Sequence, residues 1–196
     1  MLSPMQHRST RAQECGVGLI EILITIVITS FGLIGLVALS GRMTLNEMES
    51  LQRTHALTLL GNMTQRMQAN VPALASYVTS TAVGTGDAQP ADCSTLVTPT
   101  IAQMDACEWS NALKGAAEKS GTTSVGAMLG ARGCVENIQT EVLATCQPAI
   151  YRITVAWQGL SSTVTPNLSC GATLYGTDDS VRRTVSSQVI KPLYGC

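Results

Sequence analysis

Val17–Ser40 is apolar all round, with Glu21 as its one charged residue. As a helix it is roughly 36 Å long at about 1.5 Å per residue, enough to cross a bilayer. From Leu45 the pattern changes. Apolar residues recur at Leu45, Met48, Leu51, Leu59, Met63 and Met67, with Ala56 filling the gap, while Glu47, Glu49, Arg53 and Arg66 supply a polar side. Such spacings, mostly three, four or their sums, predict an amphipathic helix. Val71-Pro72 is the predicted stop, because the residue before a proline avoids helical dihedrals. The pattern therefore predicts one helix over about residues 18–70, on the order of 80 Å long. Its apolar half, 17–40, protrudes, and its amphipathic half, 41–70, lies against a globular head formed by 71–196.

The segment before the helix, Met1–Gly16, is polar and carries His7, Arg8 and Arg11 against Glu14. Basic residues on this side of an apolar span argue for a cytoplasmic N-terminus, with the head across the membrane. A cleaved secretory signal is the competing reading. Its apolar core is about 7–15 residues long and ends in a small-residue cleavage site. The longer run here fits an anchor better.

In the head, residues 79–100 are rich in Thr, Gly, Ala and Pro and read as loop. A short helix is expected to open at Asp105, with Glu108 completing a capping box. Trp109, Ala112, Leu113 and Ala116 form its apolar face, Lys114 and Lys119 a polar one, and Gly121 its stop. Trp109 reads as core rather than as a ligand site. Strict alternation makes Ala149–Gln158 the clearest strand, with Tyr151, Ile153, Val155 and Trp157 on one face. Val181–Ile190 is a second strand, with Val181, Val185 and Val189 on one face, and Gly133–Ile138 a third. The expected fold class is α+β: a small antiparallel sheet, a short helix, and the second half of the long helix against one sheet face.

Composition narrows the chemistry. Hydrophobic residues make up 45% and charged residues 13%, which excludes a charge-rich disordered chain. With 12 basic and 13 acidic residues there is no basic excess to hold nucleic acid. The seven cysteines form no C-x-x-C pair, so a structural zinc site is not expected. Cys15 stands apart before the apolar run. Cys93, Cys107, Cys134, Cys146, Cys170 and Cys196 all lie beyond it and suggest three disulfides in an oxidising compartment; buried free thiols are the alternative. Six cysteines allow 15 connectivities. Neighbour pairing is the expectation: Cys93 with Cys107, Cys134 with Cys146, and Cys170 with Cys196. His7 and His55 have no third partner for catalysis or metal binding, and no phosphate loop or nucleophile elbow occurs. Asp87, Asp92, Asp178 and Asp179 read as solvated loop acids. No enzyme activity and no cofactor is expected.

The motif with functional content is Gly16-Val17-Gly18-Leu19-Ile20-Glu21 and the apolar run after it. A carboxylate inside a membrane helix costs about 2.5–3.5 kcal/mol on insertion scales, so it marks a functional site unless it merely lies at the interface or is protonated. The segment resembles the type IV prepilin signature: a polar, basic leader ending in glycine, then an apolar helix with glutamate as fifth mature residue. Gly16 matches the last leader residue, Val17 the first mature residue and Glu21 the fifth. With Leu51-Gln52-Arg53 and Met63–Asn70, residues 14–70 look like the minor pilins called type IV pilus modification proteins, PilV. The resemblance is weaker over the head.

That resemblance implies a pilin fold, cleavage between Gly16 and Val17 by a prepilin peptidase, N-methylation of Val17, and pairing of Glu21 with an N-terminal amine during assembly. The implied partners are the inner membrane and other minor and major pilins. The implied location is the inner membrane, with a periplasmic head, and then the pilus. Two positions depart from the family: Val17 stands where phenylalanine is usual, and Gly18 where a small hydroxyl residue is common. A proline frequent in major pilins is replaced by Ala38, leaving Gly32, Gly35 and Gly41, which read as close-packing positions. Three classes stay open: a minor pilin, a type II secretion pseudopilin, and a bitopic protein with a periplasmic binding or enzymatic head.

Overall fold

The computed structural model describes residues 18–115, 119–120, 123–124 and 128–193. Gly16, Val17, Cys15, Cys196, Ala116 and Gly121 lie outside the described residues. The chain divides into two compact units, Met1–Thr44 and Leu45–Cys196, with helix α1 (Leu19–Ala69) running through both.

In the first unit, every apolar side chain of α1 from Leu19 to Met43 is exposed. In the second unit, α1 buries Ala56, Leu60, Met63 and Met67, spaced as one helix stripe, with Leu59 half-buried beside them. Leu45, Met48 and Leu51, which the periodicity assigns to the same buried face, remain 55%, 53% and 66% exposed. The correction is physical: the core stripe starts only at Ala56, and the residues before it have no core side chains over them. The helix ends at Ala69, and a 3-10 segment Val71–Tyr77 follows, buried through Leu74 and Tyr77.

After it come strand β1 (Val83–Gly84), a 3-10 turn Cys93–Thr95 and helix α2 (Ile101–Leu113). The sequence places this helix start at Asp105, but the structure moves it to Thr100. Thr100 Oγ1 accepts from the Gln103 N–H at 3.2 Å and Gln103 Oε1 from the Thr100 N–H at 2.9 Å, a complete capping box. Asp105 and Glu108 are thereby left free for other partners. The helix stops at Leu113, and Gly115 (φ +77°) takes the left-handed conformation that glycine adopts without steric cost.

Among the described residues, strands β2 (Lys119–Ser120) and β3 (Thr123–Ser124) pair with each other alone. Strands β4 (Arg132–Gln139), β5 (Ala149–Gln158) and β6 (Arg182–Lys191) complete an antiparallel sheet in the order β1-β4-β5-β6. The predicted bounds of β5 are those observed, and β4 and β6 are displaced by about a residue at each end. One sheet face carries Val135, Tyr151, Ile153, Val155, Trp157 and Val189 into a core shared with α1, α2 and the 3-10 segment. Trp109 is fully buried there, and its Nε1 donates to the Leu59 carbonyl at 3.0 Å. It packs against Gly133: a Cβ at that glycine would meet the indole ring at 2.2 Å.

The other face is covered too, by the connection between β5 and β6. Cys134, Ala156, Cys170 and Tyr175 form a second cluster there, with Ala82 and Val181 against it. Val181 therefore does not share a face with Val185 and Val189. The connection is fixed by buried Arg182, which donates to the carbonyls of Pro166, Leu168 and Cys170 at 3.0, 2.6 and 3.1 Å and pairs with Asp179 at 3.2 Å.

The cysteines join Cys93 to Cys107 and Cys134 to Cys170, and Cys146 is also disulfide-bonded. The first pair is as expected; neighbour pairing fails for Cys134 with Cys146 and for Cys170 with Cys196. Cys134 sits early in β4, opposite Thr154. Cys146 belongs to the turn beyond the far end of that strand, closed by the Val142–Gln147 bridge. The strand from Cys134 to Gln139 spans about 17 Å, whereas a disulfide needs Cα atoms within about 7 Å. Cys170 meets the requirement, at 5.8 Å.

Candidate functional site

Glu21 lies in the first turn of α1, where its N–H donates to the Gly18 carbonyl at 2.9 Å. A first-turn carboxylate faces the positive end of the helix dipole, worth about 0.3–1 kcal/mol. Its side chain is exposed, and among the described residues no side chain pairs with it. The next charged residue is Arg42. Between them Thr25, Thr29 and Ser30 bond back within the helix. The Thr25 hydroxyl donates to the Ile22 carbonyl at 2.8 Å, Thr29 to Thr25 at 2.8 Å and Ser30 to Ile26 at 2.6 Å. Hydroxyls closed onto their own helix need no water, the condition a lipid environment imposes. α1 is long and apolar enough to cross a membrane.

The head has the opposite polar chemistry: its charges pair over long sequence distances. Arg66 on α1 donates to Asp105 at 2.7 Å and to Glu108 at 2.6 Å on α2, and the Tyr77 hydroxyl donates to Asp105 at 2.6 Å. Burial raises the Tyr77 hydroxyl's pKa, and its bond to Asp105 raises it further. Asp87 accepts from the Ser110 hydroxyl at 2.6 Å and the Gly84 N–H at 2.8 Å, and it is ion-paired with Lys114. Burial alone would raise this carboxyl. Lys114, Ser110 and the Gly84 and Gln89 amides outweigh it and hold Asp87 below the usual carboxylate range.

Asp179 also departs from its reading as a solvated acid: it is buried, ion-paired with Arg182, and accepts from the Thr173 and Tyr175 amides at 2.6 and 3.2 Å. Asp92 and Asp178 each accept an amide two residues on, closing local turns.

Glu49 sits on α1 facing the start of the β5–β6 connection. One carboxylate oxygen accepts from the Leu160 amide, the Ser161 amide and hydroxyl, and Arg183 Nη2 at 2.9–3.2 Å. Burial opposes ionisation here, but these donors prevail and hold the carboxyl below its ordinary value. A cleft of about 380 Å³ opens beside it, lined by Arg53, Trp157 and Arg183 among others. A second cleft, about 400 Å³, is lined by neutral groups including Ser76, Thr79, Ser80 and Gln103. His55 is exposed. Among the described residues, no group of three His, Cys, Asp or Glu side chains is placed to hold a metal ion.

Sequence reasoning missed Arg66, Tyr77, Glu49 and Arg183 as linked residues. The links from Tyr77 and Arg66 to α2 and from Glu49 to Arg183 span 28 to 134 positions, and no local pattern carries that information. Comparison of the chain with protein-family models, curated proteins and solved structures returns no match.

Proposed function

We propose that this chain is a type IV pilin-like subunit, a minor pilin that helps initiate, assemble or decorate a pilus. The observation that supports it best is the exposed apolar surface of α1 from Leu19 to Met43, with Glu21 as its one charge before Arg42 and no side chain paired with it. The prepilin-like motif at Gly16–Glu21 supplies the missing partner. Cleavage after Gly16 creates an amine on Val17, which methylation leaves cationic. Glu21 then pairs with an amine at the membrane edge, its own or a neighbour's. In a dry helix bundle, one unpaired member of such a pair is strongly unfavourable, by about 3–5 kcal/mol. The pair therefore registers each incoming helix against the last, and the head-to-tail contact repeats without closing.

In this reading the prepilin peptidase cuts the chain at the inner membrane, Val17 is then N-methylated, other minor and major pilins are its neighbours, and the disulfide-bonded head is periplasmic. The Glu21→Ala variant tests it. Cleavage at Gly16 should persist while recovery in sheared pili falls at least tenfold. Incorporation at the wild-type level would sink the pairing mechanism.

A further inference from the structure

The cleft of about 380 Å³ beside Glu49 carries an unbalanced charge. Glu49, Ser50 and Arg53 line it from α1, and Trp157 and Arg183, partners in the β5–β6 register, line it from the sheet. Glu49 and Arg53 stand at positions i and i+4, the spacing at which opposite charges pair along a helix. They do not pair. Glu49 is taken by Arg183 at 3.2 Å. Arg53 is exposed and has no ion-pair or hydrogen-bond partner among the described residues. With Glu49 and Arg183 cancelling, Arg53 leaves the cleft with an unmatched positive charge.

Water alone would satisfy an exposed arginine, but Trp157 adds a second observation. It is packed into the core and only 4% exposed, yet its indole N–H donates to nothing among the described residues. Trp109, the other tryptophan, donates to the Leu59 carbonyl. The Trp157 N–H is not sealed from solvent either, and Trp157 lines this cleft. Gln52, next to Arg53 on α1, does not serve it, because the Gln52 Oε1 is buried and unbonded. An indole N–H and a guanidinium are donors only, so together they call for a negatively charged acceptor. Glu49 in the same wall favours a monoanion over a dianion, which suits a carboxylate better than a phosphate. Sites for free small molecules are lined mainly by apolar groups. Here Trp157 and Val185 are the only apolar lining residues, and an indole so deeply buried offers no face to stack on. A carboxylate held only at its tip needs a larger surface to carry it.

We propose that this cleft is a carboxylate-binding site that takes an aspartate or glutamate side chain of a partner polypeptide, with the Trp157 N–H and the Arg53 guanidinium as its donors. Tryptophan and arginine are the residue types that most often anchor such contacts. The proposal does not depend on the chain being a pilin.

The test uses the full chain in detergent with both indoles labelled with nitrogen-15, which gives one signal each for Trp109 and Trp157. The Trp157 indole proton should exchange with water about a hundredfold faster than that of Trp109. The probe is the capped tripeptide acetyl-glycyl-glutamyl-glycyl-amide. It should move the Trp157 signal to saturation, with a half-point on the order of millimolar, and leave Trp109 in place. The glutaminyl counterpart should move neither signal. Arg53 is exposed, so Arg53→Gln should melt with the wild type while weakening the tripeptide about tenfold. A Trp157 signal that ignores the glutamyl peptide, follows the glutaminyl one equally, or responds unchanged in Arg53→Gln would overturn the site. Inorganic phosphate acting at lower concentration than the peptide would overturn the choice of carboxylate. The source of the carboxylate is read in the native membrane, where a carbodiimide couples the amine of Arg53→Lys to the acid in contact with it. An amide to an aspartate or glutamate of another polypeptide chain is expected. Coupling to Glu49 alone, to a small free acid, or to nothing would contradict the proposal.

Discussion

The two halves of α1 are one continuous helix with opposite logic. Over Leu19–Thr44 the apolar residues occupy every direction, all are exposed, and the Thr25, Thr29, Ser30 and Thr44 hydroxyls bond to their own helix. Over Leu45–Ala69 only a stripe is apolar, that stripe is buried from Ala56 onward, and the polar residues reach other elements through Arg66 and Glu49. Backbone geometry is the same in both, so the difference lies in which solvent each surface suits. The first half resembles a segment made for lipid, the second a segment made for a protein core.

The same substitution should therefore fail differently in each half. Met63→Arg buries an unpaired cation and should destabilise the head by about 3–5 kcal/mol, read by denaturant unfolding. Leu33→Arg should leave head unfolding unchanged but cost membrane insertion about 2.5–3.5 kcal/mol, read by partition between membrane and soluble fractions. A head destabilised by Leu33→Arg would break the comparison. Within the head, Cys134→Ala with Cys170→Ala should cost about 2–4 kcal/mol, because the closed loop spans 36 positions. Gly133→Ala drives a methyl into the Trp109 ring and should cost about 1–3 kcal/mol, with a change in tryptophan fluorescence.

Acid sharpens the contrast. The Asp87 pKa is depressed in the folded head, so its contribution is complete above the ordinary aspartate value, about 3.9, and is lost as pH falls through the lower folded value. The head's melting temperature should fall below about pH 4, and Asp87→Asn should flatten that fall. The smallest effect belongs to Glu49→Gln. Its carboxylate is partly screened by solvent, so the loss should be about 0.5–1 kcal/mol, confined to exchange near Leu160 and Ser161.

Much of this architecture was legible in the residues. The long helix and the three main strands follow from periodicity, and Ala149–Gln158 alternates so strictly that its bounds were readable. What was not legible depends on contacts distant in sequence. Leu45, Met48 and Leu51 continue the apolar spacing of Met63, but periodicity does not say where covering side chains begin. The Asp105/Glu108 capping box was mistaken because two capping patterns lie five residues apart, and Thr100 holds the helix start. The disulfide partner of Cys134 depends on how the β5–β6 connection crosses the outer sheet face, a path set by Arg182 and three carbonyls. For the candidate site, the apolar run around Glu21 is legible in the residues, whereas the Glu49–Ser161–Arg183 cluster required the fold.

The central claim is that this chain enters its assembly as a processed, membrane-held subunit. It is tested most directly by the intact mass and N-terminal peptide of the protein taken from its native membrane. The account predicts a mature chain beginning at N-methylated Val17. An uncut chain beginning near Met1 would contradict it and leave a membrane-anchored, disulfide-bonded domain in its place.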